Sequence, residues 1–227
     1  MIILSGASGA IGQGLIKHLL TMDSIVGLYN ETLPEASSDK NLSYEKVDLT
    51  NADQIGSLAK KISAKISKLT LIHSAGLKID GLTANYNEAD WDRMMNVNLR
   101  GSFLLTKAFV PYMIKEQWGR IVHLSSLGAV CGSIGTVAYS TAKTGILGMS
   151  RVLAKEYARF NITSNVLVLG HFPGGMYEAL SPQVKKELLS QIPSKKLGDI
   201  SNVANAVEFL IKSNYVNGAT INIDGGI

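Results

Sequence analysis

The chain has 227 residues, 46% of them hydrophobic and 18% charged, with a formal net charge of +4 and a pI near 9.0. That supplies a sizeable core for one large α/β domain over residues 1–227 and argues against disorder. Nothing suggests a membrane, a disulfide framework or a nucleic-acid partner: no apolar run reaches the ~18 residues of a bilayer span, Cys131 is the single cysteine, and Lys and Arg nowhere cluster with aromatics.

The apolar opening Met1–Leu4 is too short for a signal peptide and reads as a first strand, so a cytoplasmic location is expected. It runs into Ser5-Gly6-Ala7-Ser8-Gly9-Ala10-Ile11-Gly12 and a helical pattern over Ile11–Thr21. Strands are then expected at Ile25–Tyr29, Ser43–Val47, Leu69–His73, Arg120–Leu124, Thr163–Leu169 and Ala219–Ile223. Helical periodicity falls between them at Asn51–Ile66, Leu99–Ile114, Val137–Phe160 and Asn202–Lys212. Strands alternating with helices of this length predict a parallel sheet covered on both faces. The rhythm breaks only over about residues 171–196, which open with Phe172-Pro173-Gly174-Gly175 and hold a short helix at Pro182–Gln191. An excursion at the carboxyl edge of such a sheet suits a substrate-covering lid; a structural insertion is the alternative.

Between a strand and a helix, Gly6 permits a tight turn, Gly9 lets backbone approach a phosphate, and Gly12 lets the helix pack close, with its N-terminal amides facing a pyrophosphate. An ordinary tight turn would use similar glycines. At the end of the second strand, Leu28-Tyr29-Asn30-Glu31 lacks both an acid aligned to read a ribose hydroxyl and an arginine to hold a 2′-phosphate. Glu31 could still swing in, and the coenzyme stays open. Asp48-Leu49 could hold an adenine edge, although an acidic residue at a helix start is an equal reading. The histidines (His18, His73, His123, His171) form no i, i+4 pair and no carboxylates cluster at ligand spacing, which argues against a metal.

Ser125-Ser126 ends the fifth strand, and Tyr139-Ser140-Thr141-Ala142-Lys143 follows. Tyr139 and Lys143, four apart on a helix, project from one face. An ammonium one turn away is expected to lower the phenol's pKa, fitting it for acid/base work, with Ser126 bonding to the same substrate oxygen. Tyr139 is the one tyrosine of eight with Lys at that offset.

These residues resemble the short-chain dehydrogenase/reductases over essentially the whole chain. Ser5 to Gly12 is similar to their cofactor loop, and His73-Ser74-Ala75-Gly76 to their Asn-Asn-Ala-Gly strand end. Asn96-Val97-Asn98-Leu99 carries their helix asparagine at Asn98, and Ile223-Asp224-Gly225-Gly226 matches their usual ending. The resemblance implies a Rossmann-like, doubly wound, seven-stranded parallel sheet of order 3-2-1-4-5-6-7. It also implies hydride transfer with a nicotinamide dinucleotide, and a catalytic set of Asn98, Ser126, Tyr139 and Lys143. By the same resemblance Lys143 also binds the nicotinamide ribose, and Asn98 holds a water that relays protons to it. Dinucleotide contacts are implied for Gly6, Ser8, Gly9, Ile11 and Gly12, for Tyr29, Asn30, Asp48 and Leu49, and for Ala75, Gly76, Gly170 and Phe172, besides Tyr139 and Lys143.

Within the family the likeness is greatest to 3-oxoacyl-acyl-carrier-protein reductases, through Met176 to Ser181, Gln191-Ile192-Pro193, Leu197-Gly198-Asp199 and Asn217 to Thr220. This implies NADP(H) rather than NAD(H), a thioester substrate on acyl carrier protein or coenzyme A, and a homotetramer or homodimer. The interfaces would use the helices at Leu99–Ile114 and Val137–Phe160 and the last strands; an intrachain apolar face would explain the same pattern. The chain departs from the reductases at several places. Ala10 stands for a loop glycine, Leu169 for a proline, Gly174 for a cofactor-touching threonine, and His73-Ser74 for two asparagines. Gln117 and Phe160 stand for carrier-docking arginines, with Arg120 and Arg159 as neighbours. Two further readings stay open: the same chemistry on a small alcohol, sugar or secondary metabolite, and, remotely, a silent dinucleotide sensor.

Overall fold

Each apolar, β-branched run becomes a strand, and the runs that are apolar throughout lie in the middle of the sheet. The computed structural model describes residues 1–35, 37–175 and 177–227; Met176, inside the expected lid, lies outside them. The strands are β1 (Ile2–Ser5), β2 (Ile25–Tyr29), β3 (Leu42–Lys46), β4 (Leu69–His73), β5 (Gly119–Ser126), β6 (Ile162–Leu169) and β7 (Thr220–Ile223). They form one parallel sheet of order β3-β2-β1-β4-β5-β6-β7, as expected. β1, β4 and β6 are buried at every position, whereas the edge strands β3 and β7 are partly exposed.

The helices are α1 (Ala10–Leu19), α2 (Ala52–Ile62), α3 (Glu88–Met95), α4 (Gly101–Glu116), α5 (Val137–Tyr157), α6 (Pro182–Gln191) and α7 (Ile200–Lys212). The two-residue period of the strands sorts the core into two layers. Ile2, Leu4, Ile72, Val122 and Leu167 pack on Leu15 and Leu19 of α1 and on Val203, Val207 and Leu210 of α7. Ile3, Leu71 and Ile121 face Ile55 and Leu58 of α2 and Leu105, Phe109 and Met113 of α4. No helix among the described residues is long and apolar enough to cross a membrane.

Several helices differ from the sequence expectation. α3 has no counterpart there, because in Glu-Ala-Asp-Trp-Asp-Arg-Met-Met only Met94 is buried and no apolar stripe marks it. Its start is fixed instead by Asn87, whose side chain accepts from the Ala89 amide at 2.8 Å. A π-helical turn at Asn96–Arg100 joins α3 to α4, so the helix expected from Leu99 is the later part of a longer run. α2 stops at Ile62 in a 3-10 turn, and α5 at Tyr157 in another that ends on Asn161 at φ 56°. β5 ends at Ser126, where the Ser125-Ser126 strand end is expected.

Candidate active site

Because all strands are parallel, their carboxyl ends share one edge, and the order reverses between β1 and β4. Ligands of such sheets bind in the crevice beside that reversal. The Ser5 hydroxyl closes its floor, accepting from the Ser74 and Ala75 amides at 3.2 and 3.3 Å.

The glycine loop is shaped by close approaches. A Cβ on Gly6 (φ +75°) would lie 2.7 Å from the Ala75 backbone, and one on Gly12 would lie 2.2 Å from the Gly6 carbonyl oxygen. At Gly9 a Cβ would make only ordinary contact, 3.4 Å from the Gly6 oxygen. α1 starts on Gly9 with no side-chain cap and no acid in its first turn, whereas Asn51, Asn87, Ser181 and Asp199 cap α2, α3, α6 and α7. Uncapped amides at a helix N-terminus beside a glycine fit a pyrophosphate. Ser8 and Ile11 flank this mouth, and Ile11 lines a cleft of about 450 Å³ with Ala10, Phe172, Pro173, Gly198 and Ile200.

At the far end, the Val47 amide donates to the Tyr29 carbonyl at 2.8 Å, which aligns the ends of β2 and β3; Asn30 and Glu31 follow, exposed. Asp48 uses one oxygen to accept from the amide and hydroxyl of Thr50, both at 2.8 Å, and Asn51 caps α2 in its place. Leu49 wedges against Gly101, where a Cβ would come within 3.0 Å of its own. Gly170 donates to the Ile223 carbonyl at 2.9 Å and lies over Asp224. The Phe172 ring is buried against Gly198 in the core.

The chemical end gathers Ser126 from β5, Tyr139 and Lys143 from α5, and Asn98 from the π turn. Asn98 is fully buried; its Oδ1 accepts from the Leu77 amide at 2.7 Å and its Nδ2 donates to the Leu77 carbonyl at 2.8 Å. A Cβ on Gly76 would lie 3.6 Å from Asn98 Oδ1 and 3.7 Å from Lys143 Nζ, so all three converge. Lys143 Nζ donates to the Leu124 carbonyl at 2.9 Å and lies 5.8 Å from the Tyr139 ring centre. Burial pulls its pKa down to about 8.

One electrostatic expectation is overturned. The Tyr139 hydroxyl lies above the ordinary phenol value, not below it: burial is the main cause, the Asp80 carboxylate adds to it, and the neighbouring Ser126 hydroxyl works the other way. The Lys143 ammonium is engaged with a backbone carbonyl and does not outweigh desolvation.

Other features were not legible from spacing. His73 and His123 are register partners on β4 and β5, with rings stacked at 4.6 Å and 8° apart in plane. His73 Nε2 meets the Thr106 hydroxyl at 3.0 Å, while His73 Nδ1 and both His123 nitrogens have no partner among the described residues. Burial, with the Lys143 charge adding to it, holds His73 down to about 3; His123 lies well below its usual value, by burial first and then the charges of His73 and Lys143. The segment after β4 brings a Lys78–Asp80 ion pair (2.7 Å) to the same edge. Arg120 is no docking cation: it is buried over Trp118 and donates to the Gly119, Asn161 and Ile211 carbonyls. Cys131 is exposed on the loop after β5, and no cluster of three metal-ligating side chains occurs among the described residues.

Comparison with known proteins agrees with this geometry. A family model described as "Enoyl-(Acyl carrier protein) reductase" matches residues 27–227. Nodulation protein G of a Rhizobium species is 33% identical over 99% of this chain and 95% of its own length. The 3-oxoacyl-[acyl-carrier-protein] reductase FabG of Thermotoga maritima is 38% identical over 80% of this chain and 75% of its own. Its counterpart in Aquifex aeolicus is 30% identical over 99% and 96%. By the family model and by these relatives, the chain belongs to the short-chain dehydrogenase/reductase family of oxidoreductases.

Proposed function

We propose that the chain is an NAD(P)H-dependent carbonyl reductase that reduces a 3-oxoacyl thioester to its 3-hydroxyacyl form, with Tyr139 as proton donor. The observation that carries this is the convergence of Ser126, Tyr139 and Lys143 on one sheet edge, beside the open N-terminus of α1. The loop from Gly6 to Gly12 would hold the pyrophosphate, Tyr29, Asn30, Asp48 and Leu49 the adenosine half, and Ala75, Gly76, Gly170, the Phe172 backbone and Lys143 the nicotinamide half. When bound, the nicotinamide supplies or accepts the hydride.

The protein's own part is then proton and charge management. Ser126 Oγ and the Tyr139 hydroxyl present two donors to the substrate oxygen, stabilising negative charge as it develops. Tyr139, held protonated by burial, gives up its proton in the reductive direction. Lys143 supplies positive charge along the same wall, and Asn98 braces the segment around Leu77; on this reading Asn98 also helps hold a water that relays protons to Lys143.

NADP(H) is favoured over NAD(H) because no carboxylate stands at Tyr29 to repel a 2′-phosphate. Residues 171–196 act as the lid of a single domain. Half-exposed Phe103 on α4 and Val152 on α5, on the two helices expected at the interfaces, support assembly with further copies as a tetramer or dimer. The reading places the enzyme in the cytoplasm. Gln117 and the sequestered Arg120 favour a second reading, a small alcohol or secondary-metabolite substrate without carrier-protein docking. The test crosses NADPH and NADH against acetoacetyl thioesters, and NADP⁺ and NAD⁺ against an alcohol panel. Thioester-dependent NADPH oxidation is expected; robust activity only with simple alcohols and NAD would select the second reading.

A further inference from the structure

The corner where β1, β2 and β3 end is tied together by backbone. The Ala7 amide of the glycine loop donates to the Leu28 carbonyl at 3.0 Å, and the Val47 amide donates to the Tyr29 carbonyl at 2.8 Å. β2 and β3 run in parallel register, with Gly27 beside Tyr44 and Tyr29 beside Lys46. Register partners share a face of the sheet, and residues two apart on a strand return to it. For these strands that face is the glycine loop's. A Cβ on Gly27 would lie 2.8 Å from Tyr44 Cδ1 and 2.9 Å from Ala7 Cβ, and Ala7 and Tyr44 pack in one core layer. On the opposite face, Glu45 accepts from Lys61 of α2 through both carboxylate oxygens, at 2.8 and 2.9 Å. Lys46 is exposed and enters no ion pair among the described residues.

We propose that Lys46 is the cation that holds the 2′-phosphate of NADP(H), so that the end of β3, one strand out from the ribose, selects the coenzyme. The proposal rests on the dinucleotide reading of the crevice and adds the discriminating group to it. In such folds the adenosine ribose is read at the end of the second strand. Here that position is Tyr29, and neither a carboxylate nor an arginine stands there. Lys46 is its neighbour on the same face, across a strand spacing of about 4.8 Å, which a flexible four-carbon stem spans. An ammonium acts on a phosphate as a point charge and needs no fixed fork of donors, which suits an exposed rim. Of the carboxylates closest along the chain, Asp48 is engaged by Thr50, and Glu31 is exposed beyond Tyr29 as the opposing charge.

The test measures binding, not turnover, on the full-length protein. NADPH and NADH are titrated by fluorescence, and 2′,5′-ADP and 5′-AMP, which lack the nicotinamide, by calorimetry. Lys46→Gln should weaken NADPH and 2′,5′-ADP by about 10-fold, the loss of one charge-assisted hydrogen bond. NADH and 5′-AMP should bind as before, with circular dichroism checking the fold. Lys46→Arg should keep most of the preference for the 2′-phosphate, and Lys46→Glu should abolish it. The same comparison in a Glu31→Gln background separates contact from charge balance. The loss on Lys46→Gln should persist there; a loss that vanishes means that Lys46 only cancels Glu31, and the proposal is overturned. An unchanged NADPH affinity in Lys46→Gln, or an equal loss for NADH, overturns it as well. A wild-type protein that binds neither coenzyme refutes the dinucleotide reading and the Lys46 assignment with it. Binding of both coenzymes with no response to Lys46→Gln refutes the assignment alone.

Discussion

Lys143 is 4% exposed and has a backbone carbonyl, not a carboxylate, for a partner. Its folded pKa of about 8 lies below the free value of 10.5, so between those values the unfolded chain holds more protons and stability rises with pH. Below pH 8 the buried charge burdens the fold in full, by about 3 kcal/mol. Lys143→Met should therefore abolish turnover yet raise the melting temperature at pH 7, by about 6–12 °C in differential scanning calorimetry. Tyr139→Phe should keep coenzyme affinity by fluorescence titration while kcat falls about 10²–10⁴-fold. The histidine pair acts in the acid range. His73 is neutral when folded down to about pH 3 and takes a proton near 6.5 when unfolded, and His123 shifts the same way. Their contribution is present above pH 6.5 and lost as pH falls toward 3. H73N/H123N should flatten the acid limb of a urea-denaturation series relative to wild type. The motif tyrosine and lysine could be read from their offset of four, but the stack could not, because strand register decides which distant histidines meet.

At the scale of elements, two departures from the family pattern prove to be one contact. Ala10 opens α1, and Gly174 arches over it at φ +87°, where a Cβ would lie 2.7 Å from the Ala10 methyl. The glycine lost from the loop is matched by a side chain lost from the facing segment. Gly174→Thr alone should weaken coenzyme binding at least ~10-fold by calorimetric titration, through clash and an unfavourable backbone angle. With Ala10→Gly added, most of the steric part should be recovered; equal losses in both variants would show that the contact is irrelevant. The sequence disclosed all seven strands and the α1 turn, since burial on two faces and glycine spacing are local signals. It did not disclose α3, which is polar, or the π turn that sets Asn98 against Leu77, because its cause is tertiary. The sign of the Tyr139 shift was missed for the same reason: spacing along a helix says nothing of how deeply the pair is buried.

Across the whole molecule, chemistry and cohesion occupy opposite edges of the sheet. The carboxyl edge carries the glycine loop, Ser126 and the segment after β4. At the other edge Arg120 draws together the start of β5, the turn at Asn161 and the end of α7 through three carbonyls. The excursion that follows β6 is pinned where it leaves and where it returns. The Gly198 amide meets the His171 carbonyl at 2.9 Å, and the Ser194 amide meets the Gly225 carbonyl at 3.1 Å. Between these pins α6 has no buried residue, and its Lys185–Glu178 pair lies within the excursion itself. Closed at its base, the excursion can be exchanged for one of different length or chemistry at little entropic cost, since loop closure depends only weakly on loop length. Natural divergence and deliberate grafting can therefore remodel the excursion while Ser126, Tyr139 and Lys143 stay where β5 and α5 hold them.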